Sequence, residues 1–181
     1  MTQDGDIWVF GYGSLMWRPG FVYEEAVHAV LLGGHRALCV YSHVHRGTPR
    51  HPGLVLGLDA GGNCEGVAYR VAAREKRATL AYLQRREQVT NVYRPVLRQI
   101  SLRRSEPEIT RALCYMIDRR HRQYAGALPL GVQARLVRRG RGRSGKNTDY
   151  VLNTVRHLRD CGIVDRGLER LVVMLGGSAL A

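Results

Sequence analysis

No stretch of the 181-residue chain approaches the roughly 20 apolar residues that a helix needs to span a bilayer. The polar, acidic opening at residues 1–6 runs straight into an apolar strand with no cleavage-like site, so no secretory signal is expected. Cysteine is sparse. The four residues Cys39, Cys64, Cys114 and Cys161 form no Cys-x-x-Cys pair, and three lie in apolar runs where a free thiol packs as a small hydrophobe. That excludes a zinc knuckle and a disulfide scaffold, and it leads us to expect reduced thiols and a cytoplasmic protein. There is no repeat, no heptad run and no low-complexity linker. Acidic residues are scarce too: 15 against 28 basic ones, a net charge of +13. Such a surface attracts anions of every kind. Without a helix-turn-helix or an aromatic RNA-binding signature it implies no specific nucleic-acid partner.

What is present suits one globular domain. Apolar residues make up 45% of the chain, enough for a core at this length. Runs rich in Val, Leu, Ile, Tyr and Cys at 7–11, 29–42, 54–58, 65–71, 92–102 and 111–117 read as strands. Residues 59–63, Asp-Ala-Gly-Gly-Asn, read as a hairpin loop between two of them. Strands follow one another without a helix between each pair. This predicts an α+β protein with a compact mixed or antiparallel β-barrel at about 6–120 and a helical part at about 128–178, a single domain over 1–181. Helical spacing appears at 72–88 and within 149–175, with Asn147 or Thr148 as a cap and Gly162 as a stop.

Three motifs lose to plainer readings. Gly11-Tyr12-Gly13 lacks the third glycine of a dinucleotide fingerprint, since Met16 stands there, and Pro19 bars the helix that should follow. The 140–147 segment nearly spells a phosphate loop but ends in Asn147, which has no hydroxyl for magnesium, so a glycine-rich loop leading into a helix is expected. His43 and His45 would share a face of a strand, but no carboxylates or cysteines complete a metal set. Glu87 is different. On a helix, positions 80, 83 and 87 lie together, so Leu80 and Leu83 would turn Glu87 toward the core. Two readings stand: a surface glutamate paired with Arg86 or Arg94, or a desolvated carboxyl raised toward neutrality and useful as a general base.

The ordered motifs say more. Val9-Phe10-Gly11-Tyr12-Gly13-Ser14-Leu15 with Trp17 resembles the opening of the ChaC-type γ-glutamylcyclotransferases. So do Gly34-His35-Arg36, the stretch from Ser42 through His45-Arg46-Gly47-Thr48-Pro49 to Pro52-Gly53, and Gly66-Val67-Ala68-Tyr69-Arg70. The Arg86-Glu87 pair, Gln123-Tyr124-Ala125-Gly126 and Ser144-Gly145 with Asn147, Tyr150 and Asn153 complete the series, in order along nearly the whole chain.

The resemblance implies a barrel with surrounding helices and an intramolecular acyl transfer that needs no metal and no cofactor. Glutathione is the implied substrate, cleaved to 5-oxoproline and Cys-Gly. It gives Glu87 the proton chemistry and makes Gly11, Tyr12, Gly13, Ser14, Leu15 and Met16, with Tyr124, the substrate-binding residues. A monomer acting on a small molecule, with no membrane and no specific nucleic acid as partner, is the resulting expectation. Two departures, Gln88-Val89-Thr90 after the Arg-Glu pair and Val44 before His45, bear on which γ-glutamyl compound fits.

Overall fold

The computed structural model describes residues 5–87 and 91–177. Two compact units are present, residues 1–36 with 58–118 and residues 37–57 with 119–181. The backbone passes from one to the other inside two of its strands and again after Asp118, so no single cut of the chain separates them.

Five strands, β1 (Ile7–Gly11), β2 (Glu25–Ser42), β3 (Gly53–Val71), β4 (Tyr93–Leu102) and β5 (Glu108–Ile117), close into a barrel in the order β1-β3-β2-β4-β5. The first unit holds β1, β4 and β5 with residues 25–36 of β2 and 58–71 of β3. The sheet is mixed, as the run of strands predicted. β1 is antiparallel to β3, pairing Ile7 with Val71 and Gly11 with Val67, and parallel to β5, pairing Trp8 with Ala112. β4 and β5 form the longest antiparallel ladder, from Tyr93–Ile117 to Leu102–Glu108. Closure removes the free edges that an open sheet would expose.

The predicted hairpin loop at 59–63 is not there. β3 runs through it as one strand of 19 residues. Gly61 and Gly62 take left-handed φ values of 97° and 69°, which only glycine adopts without strain, and so bend the strand rather than end it. His35 hydrogen-bonds the Gly61 carbonyl at 2.9 Å across this bend.

The predicted helix at 72–88 starts as a 3-10 turn, Ala73–Glu75, and continues as α1 (Lys76–Glu87); Gln88 lies outside the described residues. Its buried line is Thr79 and Leu83, whereas Leu80 is 38% exposed. Leu83 is buried as expected, but the place a turn before it, read as Leu80, is held by a threonine. Leu83 packs with Val9, Leu15, Val71 and Tyr115 in a core cluster.

The second unit holds the strand segments 37–42 and 53–57 and three helices, α2 (Leu130–Arg139), α3 (Asn147–Asp160) and α4 (Arg166–Met174). The phosphate-loop lookalike is a small hairpin, β6 (Arg141–Gly142) and β7 (Gly145–Lys146), that feeds α3. Asn147 does not cap α3 with its side chain as expected. It is fully buried, accepting from the Leu54 N–H at 2.6 Å and donating to the Leu54 carbonyl at 2.8 Å. Gly162 does stop α3: at φ 70° its N–H reaches the Arg159 carbonyl and that of Ile163 reaches Leu158, closing the helix end. Asp165 caps α4 by accepting from the Gly167 and Leu168 N–H groups. Residues 43–50 form bends rather than strand, so His43 and His45 do not alternate on a sheet face. His43 stacks on Tyr41, and His45 hydrogen-bonds Ser144.

Candidate active site

At Gly11 the β1 backbone leaves the sheet and winds into a 3-10 turn, Ser14–Met16. The backbone is tightly packed here, and crowding requires glycine at Gly66. A Cβ on Gly11 would stand 3.1 Å from that of Leu15, and one on Gly66 of the neighbouring strand would stand 2.2 Å from the Gly11 carbonyl. Gly11, Tyr12, Gly13, Leu15 and Met16 are buried while Ser14 is exposed, so Ser14 is the residue of the turn that meets solvent. Within the turn, the Met16 and Arg18 N–H groups reach the carbonyls of Gly13 and Ser14. Those of Gly13, Ser14 and Leu15 donate to no protein group among the described residues. Successive N–H groups of this kind favour an anion.

Three side chains hold the turn from different elements. Arg36 of β2 donates through Nε to the Tyr12 carbonyl at 2.5 Å and through Nη2 to the Glu65 carbonyl at 2.7 Å. The Tyr69 hydroxyl of β3 donates to the Met16 carbonyl at 2.7 Å. Arg86 of α1 donates to Ser14 Oγ at 2.9 Å and to the Pro19 carbonyl at 3.2 Å. The sequence had placed Arg36 and Tyr69 inside matching motifs without giving them a task. Their signal was a polar head in an otherwise apolar strand.

Glu87 ends α1 with its side chain 16% exposed and Oε1 3.2 Å from Arg86 Nε. Both sequence readings hold in part: the glutamate is paired with Arg86, and it is also sunk into the core's edge. Arg94 takes Asp118 instead, at 2.5 Å. Burial pushes the Glu87 carboxyl up from its ordinary range, and the Arg86 charge pulls less strongly the other way. Tyr115 of β5 is the phenol that senses this carboxylate, and sequence reasoning did not single it out. Leu15 and Tyr115 share the core cluster with Leu83, so the turn, β5 and α1 rest on common packing. Tyr124 belongs to the second unit, where its backbone bridges Val40. The segment 88–90, with its departure from the expected pattern, lies outside the described residues. Among those described, no three His, Cys, Asp or Glu side chains gather to hold a metal.

A buried, raised carboxyl tied through one arginine to the Ser14 turn is an arrangement that can exchange a proton beside an anion site. The comparisons narrow the class. The model of the ChaC-like proteins matches residues 7–177. The glutathione-specific gamma-glutamylcyclotransferase of Escherichia coli is 35% identical over 171 residues, 94% of this chain and 73% of the relative. Gamma-glutamylcyclotransferase 2-3 of Arabidopsis thaliana is 33% identical, over 91% of this chain and 86% of its own length. A crystal structure of a yeast gamma-glutamyl cyclotransferase specific to glutathione superposes with a TM-score of 0.83, covering 96% of both chains at 22% identity. That likeness carries the fold. The chain belongs to the ChaC-like family.

Proposed function

We propose that the protein is a γ-glutamylcyclotransferase that cleaves glutathione to 5-oxoproline and Cys-Gly without a metal or cofactor. The observation that carries the mechanism is Glu87, a carboxyl raised by burial and joined through Arg86 to the Ser14 turn. The relatives named as glutathione-specific support the choice of substrate.

In this reading the γ-glutamyl moiety lies in the cradle Gly11–Met16. The α-amine must be neutral to attack, and Glu87 takes its proton. The amine then adds to the γ-carbonyl carbon, and the oxyanion faces the N–H groups of Gly13, Ser14 and Leu15. Collapse breaks the bond to the cysteinyl nitrogen as Glu87 returns the proton to it. The attacking nitrogen then gives up its second proton, through Glu87, to the released amine, so that Cys-Gly leaves as an ammonium and a neutral five-membered lactam remains. Because nucleophile and electrophile belong to one molecule, most of the protein's task is to fold the substrate onto itself.

Four free cysteines, three of them buried, fit a reducing cytoplasm. No described helix is long and apolar enough to cross a membrane. We take the working unit to be a monomer with no specific nucleic-acid partner.

Purified protein incubated with glutathione and EDTA should release equal amounts of 5-oxoproline and Cys-Gly. A panel of other γ-glutamyl compounds should react more slowly. Activity lost to the chelator and restored by zinc or manganese would overturn the metal-free mechanism.

A further inference from the structure

Arg86 does more than neutralise its neighbour. Its guanidinium reaches five other residues at once: Glu87 Oε1 and Ser14 Oγ, the carbonyls of Arg18 and Pro19, and the Tyr82 hydroxyl at 2.8 Å. Three of these acceptors belong to the 14–19 segment that follows β1, and two belong to α1 itself. The group is flat, and its five N–H donors point in fixed directions, so the acceptors cannot shift independently of one another. It also lies over the Tyr82 ring, 5.9 Å from the centroid. Beyond the clamp the backbone stays close to the same tyrosine. Gly20, at φ 73°, leaves no room for a Cβ, which would fall 2.1 Å from the Tyr82 hydroxyl oxygen.

We propose that Arg86 is the positioning residue of the cyclisation, one guanidinium holding the 14–19 segment in register with the Glu87 carboxyl. The inference rests on the proposed reaction. Its physical content is a fixed span: the N–H groups that receive the oxyanion and the carboxylate that moves the proton are both referred to one rigid fork. A lysine would supply the charge but not the fork.

The charge has a separate effect, which makes the role readable. Beside the carboxyl α1 supplies Arg86, and β5 supplies the Tyr115 phenol that the carboxylate charge reaches, while Tyr82 of α1 and Tyr93 of β4 pack against the core cluster that holds Tyr115. Arg94 of β4 is engaged with Asp118. Arg86 is thus the cation that opposes the effect of burial on Glu87.

The test compares wild type, R86K and R86M in the full chain by steady-state turnover of glutathione across pH, with folding checked by circular dichroism. A displacement of the reacting groups by about 1 Å costs on the order of 10²-fold. We expect R86M to lose about that factor in kcat with a smaller change in KM, and its acidic limb to move to higher pH. R86K should keep the wild-type limb but remain slow, because a point charge does not restore the fork. Turnover of R86M within twofold of wild type would overturn the assignment, and so would wild-type kcat in R86K. A folded, slow R86M whose acidic limb has not moved would show Arg86 to be a structural clamp remote from the base, and would overturn it as well. Should R86M fail to fold, R86K decides. If wild type itself released no 5-oxoproline, the proposed reaction would fail first and this role with it. Active wild type alongside indifferent variants would sink the role of Arg86 alone.

Discussion

The Glu87 carboxyl acts on the Tyr115 phenol: burial first, and the Glu87 charge second, push that phenol up to about 12. Tyr115 therefore keeps its proton at neutral pH, where it can donate a hydrogen bond but cannot take a proton. Between the two, only the carboxyl is equipped as a base.

Replacing Glu87 by Gln keeps the size of the side chain and removes its proton chemistry. We expect kcat for 5-oxoproline release to fall by about 10²–10⁴. One group serves each proton transfer, so the upper end is expected. Substrate affinity, read by calorimetry, should change less, because the cradle backbone is untouched. Near wild-type turnover would remove Glu87 from the mechanism.

The same substitution tests the raised carboxyl through stability. A glutamate whose folded-state pKa lies above its unfolded value of 4.5 favours the fold when protonated. That contribution is fully present below about pH 4.5 and is lost as pH rises through the raised folded-state value. Gln does not titrate. The melting temperature of Glu87→Gln relative to wild type should therefore climb between pH 4 and neutrality, and a pH-independent difference would contradict the desolvated state of Glu87.

Gly66→Ala drives a methyl to 2.2 Å from the Gly11 carbonyl and 2.6 Å from the Phe10 ring. Overpacking of this kind costs about 1–3 kcal/mol, and because Gly11 opens the cradle, KM should rise as well. Gly131 in α2 is the control, since a Cβ there meets nothing within 4 Å. Ala at that site should stabilise by about 0.4–1 kcal/mol through the unfolded chain. Urea denaturation of both variants checks the pair.

Asn147→Ala leaves the N–H and the carbonyl of Leu54 without their partner in a buried place. Each orphaned group costs about 1–3 kcal/mol, so a loss on the order of 2–4 kcal/mol in chemical denaturation is expected. A change below 1 kcal/mol (about the low end for a single lost partner) would mean that the strand relaxes around the gap.

Residues 37–57 and 119–181 carry 15 of the 28 basic residues but only 4 of the 15 acidic ones. Arg135, Arg138 and Arg139 on α2, with Arg141 and Arg143 beyond it, are all exposed. Phosphate contacts of this sort bind any sequence, with Kd on the order of 10⁻⁴–10⁻⁶ M at physiological salt. Titration with unrelated oligonucleotides should give equal, salt-sensitive affinities. A sequence-selective complex that survives 200 mM salt, roughly where such contacts have lost most of their strength, would reveal a second role.

Legibility in the sequence followed the reach of each signal. Strands β1, β4 and β5 showed themselves because Val, Ile, Tyr and Leu recur where the pleat buries them, and Gly162 because a left-handed residue is nearly diagnostic of a helix end. The bend at Gly61 and Gly62 was misread as a loop because the same two glycines serve a turn or a bend, and only pairing across the sheet distinguishes them. α1 misled because its apolar residues, Ala78, Leu80, Ala81, Tyr82 and Leu83, ring the helix instead of lining one face: Leu80 looks like core by type, yet Thr79 is the residue the barrel covers. At the site, motif resemblance reached Glu87 and the cradle. Arg36, Tyr69 and Tyr115 act from strands distant in sequence, and nothing local announces that they meet there.

Cys39, Cys64 and Cys114 are buried, and burial pushes the Cys114 thiol up to about 12 and raises that of the half-buried Cys161. Thiol–disulfide exchange proceeds through the thiolate, so these sulfurs are poor partners for it. A catalyst that feeds on one thiol and releases another works in a bath of reactive sulfur, where any accessible thiolate of its own would collect mixed disulfides. This chain keeps its sulfur out of that exchange. Its activity should follow the supply of substrate rather than the ratio of oxidised to reduced thiols around it.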